Sequence, residues 1–280
     1  MRRLLVGTDL SARSDRALQR ALLLAAQHDA NLEVVHVVDN ALPQQDVERL
    51  TERAYNTVGA QLDALGRTEG VRVSTQIIPG EDFFEMLRRA EETDADLIVL
   101  GIHRHSTRPL FHGTTAERII RLGRRPVLVV REPVVGRYKN AVVAVDLSPH
   151  SRRALETAVR LAPEANVQLI HATHVPYKGL LESRTVQQVA QAEENEFRRM
   201  MEQDLRDLLP HLPGPERRLE IKFDEGRPQD VIKEQAARLN ADLVAIGTHG
   251  RSGIANAMLG SVAEDLLADA PTDVLAVKAW

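Results

Sequence analysis

Short apolar runs bounded by turn residues alternate along this chain with longer stretches whose apolar residues recur every three or four positions. That alternation predicts parallel strands joined by crossover helices. Five such runs fall in the first half, at residues 3–8, 31–38, 71–78, 96–101 and 126–131. Five more fall in the second, at 140–145, 166–173, 217–224, 241–247 and 272–278. Apolar on consecutive positions, the runs suit strands covered on both faces. Ser11 and Ser148 follow the first strand of each half and are placed to cap the next helix, where a side-chain oxygen accepts an otherwise unpaired backbone N–H. Residues 182–209 carry apolar side chains at helical steps and are followed by Pro210, so a long amphipathic helix is expected to end there. Pro79-Gly80-Glu81 and Glu225-Gly226-Arg227-Pro228 read as equivalent turns into the third helix of each half, and Phe83 and Phe84, beside Met86 and Leu87, as core or interface positions.

The two halves repeat each other. Residues 4–18 (LLVGTDLSARSDRAL) lie over residues 141–155 (AVVAVDLSPHSRRAL), and the later segments follow in the same order, Asp94–Gly101 over Asn240–Gly247 among them. Self-similarity of this kind decides the fold before any motif does. A Pro and a Gly interrupt both patterns in Glu132-Pro133-Val134-Val135-Gly136-Arg137, which sets domains at 1–133 and 138–280. The expected fold is therefore α/β, two tandem doubly wound domains with a five-stranded parallel sheet each.

Composition narrows the chemistry. Thirty-six Lys and Arg stand against 40 Asp and Glu, a net charge of −4, and the aromatics are five Phe, three Tyr and one Trp. That balance lacks both the basic footprint and the stacking platform of a nucleic-acid binder. The absence of Cys removes disulfides, thiol nucleophiles and thiolate metal sites. The apolar run after Met1-Arg2-Arg3 stops at Gly7-Thr8-Asp9, too short for a signal segment, and no run reaches a membrane span. A cytoplasmic protein without nucleic-acid or membrane partners is expected.

The fourth run of the second half leads into Gly247-Thr248-His249-Gly250-Arg251-Ser252-Gly253, and nine residues after Gly250 comes Gly260-Ser261-Val262, opening a helical segment. A missing Cβ lets backbone N–H groups approach a phosphate, and a helix N-terminus adds a favourable partial charge. Glycine at a strand-to-helix turn also has a purely steric use. In a doubly wound sheet, however, Asp146 and this loop share the C-terminal edge at the switch point, where ligands bind.

With the Asp-Leu-Ser after the first strand and this spacing of Gly247, Gly250, Gly260 and Ser261, the chain resembles the universal stress proteins over essentially its whole length, as two tandem copies. The resemblance is to the adenine-nucleotide-binding branch. It implies strand order 3-2-1-4-5 in each half, with the last strands pairing antiparallel so that the halves form an internal pseudo-dimer; further homodimerisation stays open. It implies ATP, or ADP or AMP, as ligand, with Mg²⁺ accompanying a triphosphate. Carried over, it puts Asp146 near the nucleoside, Ala172 at the adenine pocket by its backbone, Ile246 and Gly247 beside base and ribose, and Gly250, Gly260, Ser261 and Val262 on the phosphates. Asp146 has a second reading as a carboxylate capping the helix after Ser148. His249 and Arg251 either touch phosphate or are solvated loop residues.

The first half departs from the pattern. Arg104 stands where the second glycine belongs, and Gly101 to Gly113 is 12 positions where Gly247 to Gly260 is 13, although Asp9, Val37, Gly113 and Thr114 remain. One competent site per chain is expected, in the second half. His103, His105 and His112 lack a specific metal-ligand spacing and read as a solvated loop or a different anion site, and His171 and His174 as packing or surface residues. The leading function is a nucleotide-responsive stress regulator with unidentified protein partners. The alternatives are a slow ATPase or phosphotransferase, for which no phosphate-loop lysine is present, and a nucleotide-independent scaffold or small-ligand carrier.

Overall fold

The computed structural model describes residues 1–66, 70–102, 114–173, 184–214, 219–250 and 259–279, and of residues 184–191 only the backbone. Strand and helix alternate from end to end: β1 (Arg3–Gly7), α1 (Ala12–His28), β2 (Asn31–Asp39), α2 (Gln44–Ala64), β3 (Val73–Gly80), α3 (Asp82–Glu92), β4 (Leu97–Gly101), α4 (Thr115–Leu122) and β5 (Val127–Val130) make the first half. The second half has β6 (Asn140–Ala144), α5 (Pro149–Leu161), β7 (Asn166–Thr173), α6 (Arg184–Leu208), β8 (Ile221–Glu225), α7 (Pro228–Arg238), β9 (Leu243–Gly247), α8 (Ser261–Asp269) and β10 (Asp273–Val277). A 3-10 turn, Leu209–His211, follows α6 and contains Pro210, whose ring and missing N–H stop the helix.

The strands form one ten-stranded sheet in the order β3-β2-β1-β4-β5-β10-β9-β6-β7-β8. Each half keeps the order 3-2-1-4-5, and the two five-stranded sheets expected are not divided but run together as one through β5 and β10. All pairs are parallel except β5 with β10, which run antiparallel with Val129 opposite Val274 and Val127 opposite Ala276. Each of these strands would otherwise present a row of unpaired N–H and C=O groups at an edge, and pairing them carries the backbone hydrogen bonding from one half into the other.

The core is correspondingly continuous. On one face Leu18, Val58, Leu155 and Leu205 from α1, α2, α5 and α6 pack over Val6, Val99, Val143 and Ala245. On the other, Met86, Ile119, Ile232 and Leu266 from α3, α4, α7 and α8 cover Leu5, Ile98, Val142 and Val244. Where the halves meet, Asp273 is fully buried and its carboxylate accepts from the Tyr138 hydroxyl at 2.7 Å and the Arg131 N–H at 2.8 Å, with Arg20 Nε 3.4 Å away. Burial, and next the Asp273 charge, push the Tyr138 hydroxyl well above its ordinary range, so it stays a donor.

Of the four positions read as core or interface, three belong to the core. Met86 is buried and Phe83 and Leu87 pack against the core, but Phe84 is 55% exposed. Residues 83, 86, 87 and 90 share one helical stripe, and position 84 falls outside it.

Candidate functional site

The C-terminal ends of β6, β7 and β9 open into a cavity of about 350 Å³, within the range of small-molecule sites. It lies where β6 leaves toward β7 on one side and β9 on the other, the switch-point position for a ligand in an open α/β sheet. Asp146, Ala172, Ile246, Gly247, His249, Gly250, Gly260, Ser261 and Val262 all line it, joined by Ala144, Ile170, His171 and Ile232. Arg251 lies outside the described residues, as do His103, Arg104, His105, His112, Gly113 and His174.

The Asp-Leu-Ser turn after β6 is built from hydrogen bonds. Ser148 caps α5 by accepting from the Ser151 N–H at 3.1 Å, and the Asp146 Oδ1 accepts from the Ser148 N–H at 2.9 Å. Leu147 between them takes a left-handed φ of +66°, as its counterpart Leu10 does at +63°. Asp9 repeats the bond, accepting from the Ser11 N–H at 3.0 Å. Asp146 therefore does brace the turn before the helix, but with one oxygen; Oδ2 points toward Gly250, where a Cβ would lie 2.9 Å from it.

The three loop glycines have different reasons to be glycine. At Gly247 a Cβ would meet the His150 carbonyl carbon at 2.8 Å and the Ser151 nitrogen at 2.9 Å, so this residue gives room to the first turn of α5. Gly101 does the same for α1, its Cβ position lying 2.9 Å from the Arg13 carbonyl oxygen. Gly260 donates its N–H to the Thr248 carbonyl at 2.9 Å and thereby closes the base of the loop. Gly250 is the position whose added atom would enter the space beside Asp146.

The α8 N-terminus differs from its counterpart. Gly260 occupies the cap position and makes no side-chain cap bond, so among the described residues the first-turn N–H groups are left as donors of the kind that bind anions. In the first half Thr114 caps α4 in a full capping box: its hydroxyl accepts from the Glu117 N–H at 3.2 Å while Glu117 Oε2 accepts from the Thr114 N–H at 2.9 Å. That helix start is self-satisfied and carries a carboxylate. The T-x-x-E spacing signalled the box, and its consequence for phosphate binding is the functional feature the sequence reading passed over. In addition, a Cβ at Gly7, the counterpart of Ala144, would lie 2.8 Å from Leu100 and 3.0 Å from Met86, so apolar side chains close over the matching position of the first half.

Histidines surround the second-half cavity. His171 Nδ1 is 2.7 Å from the Val145 carbonyl, as His36 Nδ1 is 2.8 Å from that of Thr8, and the His171 ring packs between Phe197 and Phe223. This is the packing role expected of it. The His249 ring sits 5.2 Å from that of His150, and its Nδ1 is 3.0 Å from the Thr248 hydroxyl. His150 Nδ1 accepts the Ala279 N–H at 2.8 Å. Burial, then the neighbouring His249, lower the His150 pKa from its ordinary value, which favours that acceptor form.

The universal stress protein family matches both halves, residues 1–131 and 137–278. The chain belongs to this family. It is 25% identical to a universal stress protein of Mycolicibacterium smegmatis over 98% of this chain and 96% of that one, and 32% identical over half its length to universal stress protein A homolog 1 of Coxiella burnetii, of which the match covers 96%. Its fold matches the crystal structure of a universal stress protein from Archaeoglobus fulgidus with a TM-score of 0.68 at 20% identity, over 99% of this chain and 98% of that one. Among the described residues, no helix is long and apolar enough to cross a membrane.

Proposed function

We propose that the second half, residues 138–280, binds an adenine nucleotide, ATP, ADP or AMP, in the cavity at the ends of β6, β7 and β9. The observation that carries this reading is the pairing of an α8 N-terminus without a side-chain cap with Gly250, whose missing Cβ leaves space beside the Asp146 carboxylate. The apolar wall of Ala144, Ile170, Ile232 and Ile246 suits a purine face, with the Ala172 backbone at its rim. Asp146 Oδ2 is an acceptor for a ribose hydroxyl. Gly247 borders base and ribose, while Gly250, Gly260, Ser261 and Val262 present backbone and hydroxyl donors to phosphate, with His249 and Arg251 as the loop's own cations or donors. Mg²⁺ fits here with a triphosphate, because it needs only one or two carboxylates beside phosphate oxygens and water, and Asp146 offers one. When bound, it would neutralise phosphate charge next to that carboxylate.

The first half, residues 1–133, binds no nucleotide in this reading. A capping box fills its helix start, and Glu117 would repel a phosphate there. The chain then acts as a cytoplasmic stress-response regulator whose nucleotide state is read by a protein partner. Titration calorimetry of the nucleotide-free protein with Mg-ATP tests this. One site per chain is expected; two sites would overturn the assignment of the first half, and no binding at millimolar ligand would overturn the nucleotide reading.

A further inference from the structure

The ten-stranded sheet ends at β3 on one side and at β8 on the other, and the two edges are built differently. β8 is five residues long and carries Lys222, Asp224 and Glu225, the brevity and charge by which edge strands resist further pairing. β3 runs for eight residues, Val73–Gly80, and none of them is charged. Among the described residues no strand lies beyond it.

The register decides which backbone groups of β3 face out. The Leu32 N–H donates to the Arg72 carbonyl at 2.9 Å, and Leu32 stands opposite Val73. In a regular parallel ladder the even-numbered residues of β3 therefore turn to β2, while Val73, Thr75 and Ile77 turn their N–H and C=O groups away from it. Side chains alternate in step. Val73, Thr75 and Ile77 are half-buried, Val73 and Ile77 packing against the core to which Val58 and Leu62 of α2 belong, whereas Ser74 and Gln76 are exposed. Pro79 falls at the next outward position, where it offers no N–H.

Such an edge is complementary to itself. Laid antiparallel on a second copy about a two-fold axis through Thr75, Val73 meets the other copy's Ile77, Thr75 meets Thr75, and Ser74 meets Gln76. Every outward N–H from Val73 to Ile77 then finds a carbonyl, the apolar and hydroxyl pairs are of the stabilising kind, and no like charges are opposed. The same antiparallel joining of uncharged stretches, Val127–Val129 with Val274–Ala276, already unites the halves. A two-fold perpendicular to the sheet also sets the two α2 helices side by side over the seam. Gln61 donates to Asp15 of α1 at 2.8 Å and so marks the α1 side of α2. Tyr55, about 120° round the helix from Gln61, lies on the opposite flank, with the buried Ala54, Val58 and Leu62 between them, and is 60% exposed.

We propose that β3 is a homodimer interface, two copies of the chain pairing β3 to β3 antiparallel so that the sheet continues from one chain into the next. The contact is isologous, the same patch serving on both sides. It lies at the opposite edge of the first half from the second-half cavity.

The test is sedimentation velocity of the full chain across the micromolar range, with a thermal melt of each variant to establish folding. Wild type should dimerise with rising concentration. Ser74→Lys combined with Gln76→Lys sets like charges directly opposite each other and should raise the dissociation constant roughly tenfold or more. Ser74→Glu combined with Gln76→Lys sets opposite charges at the same places and should keep the dimer. Both pairs of substitutions fall on exposed side chains. A dimer that the two double variants affect equally would overturn the register and with it the proposal. A wild-type chain that stays monomeric would overturn it as well, and leave this edge to an extended segment of another protein.

Discussion

Asp146 and Gly250 face each other across the mouth of the second-half cavity, the carboxylate Oδ2 standing 2.9 Å from where a side chain at position 250 would begin. One atom therefore separates a loop that leaves this carboxylate open from one that covers it. The other carboxylate oxygen is held by the Ser148 N–H, so Asp146 cannot swing away without giving up a bond that shapes the entry to α5.

Gly250→Val should on this account lose nucleotide binding at least tenfold while folding normally. The residue is exposed, and the atom its Cβ meets is the tip of a side chain rather than backbone. Calorimetric titration beside a thermal melt reads both quantities. Unchanged affinity in a folded Gly250→Val protein would remove position 250 from the site.

Gly247→Ala is expected to behave in the opposite way. Its Cβ would meet the backbone of His150 and Ser151 at 2.8 and 2.9 Å, and α5, buried against the sheet, cannot retreat cheaply. Overpacking of this kind costs about 1–3 kcal/mol. Urea denaturation should show the loss in midpoint, and Gly101→Ala should match it, since Gly101 meets the Arg13 backbone in the same manner.

This difference between neighbouring glycines marks what the sequence could convey. The strands were legible because buried parallel strands are apolar on consecutive positions, and the predicted and observed spans differ by a few residues. The largest slip is at the third strand of the second half, expected at 217–224 and found at Ile221–Glu225, an edge strand whose polar positions blur its start. The order of the halves and the placing of the glycine loop beside Asp146 followed from the repeat and the loop spacing, whereas Ala172, Ile246 and Val262 came from the family resemblance. The joining of the halves into one sheet came from the family resemblance, because nothing local in Val127–Val130 or Asp273–Val277 names its partner strand. Capping was legible after the first strand of each half, where Ser11 and Ser148 cap as expected, and least legible at the last helix of each half. Thr114-Thr115-Ala116-Glu117 and Ser261-Val262-Ala263-Glu264 carry the same capping-box spacing, yet only the first forms the box. In the second the Gly260 N–H is drawn to the Thr248 carbonyl, the helix begins at Ser261, and the hydroxyl is one position too late to cap it. That choice is made by tertiary contact.

Removing the box tests its role in the first half. Glu117→Ala should cost about 0.5–1 kcal/mol, the scale of a helix cap, measured as a lower urea midpoint. It should leave the count of bound nucleotides at one per chain, since Gly7, Leu100 and Met86 still close the matching position. A second nucleotide site appearing in Glu117→Ala would show instead that this carboxylate alone keeps the first half empty.

The last prediction concerns the contact between halves away from the cavity. His28, at the end of α1, lies with Nε2 3.0 Å from the Leu161 carbonyl at the end of α5. Burial is the main cause that lowers its pKa below the ordinary 6.5, with the chain's amino terminus and Arg137 adding to it and the Leu161 bond opposing it. A histidine held low in the folded state takes up its proton more readily once unfolded, so the unfolded chain gains protons first as pH falls. The His28 contribution to stability is thus fully present above about pH 6.5 and is lost progressively below it, down through the folded-state pKa. Urea midpoints for wild type and His28→Gln, taken from pH 7.5 to 5, should lie close together at the neutral end and separate toward the acid end, wild type falling further, because glutamine keeps a donor for Leu161 and removes the titration. Parallel curves over that range would show that protonation of His28 has no part in the acid sensitivity of the interface.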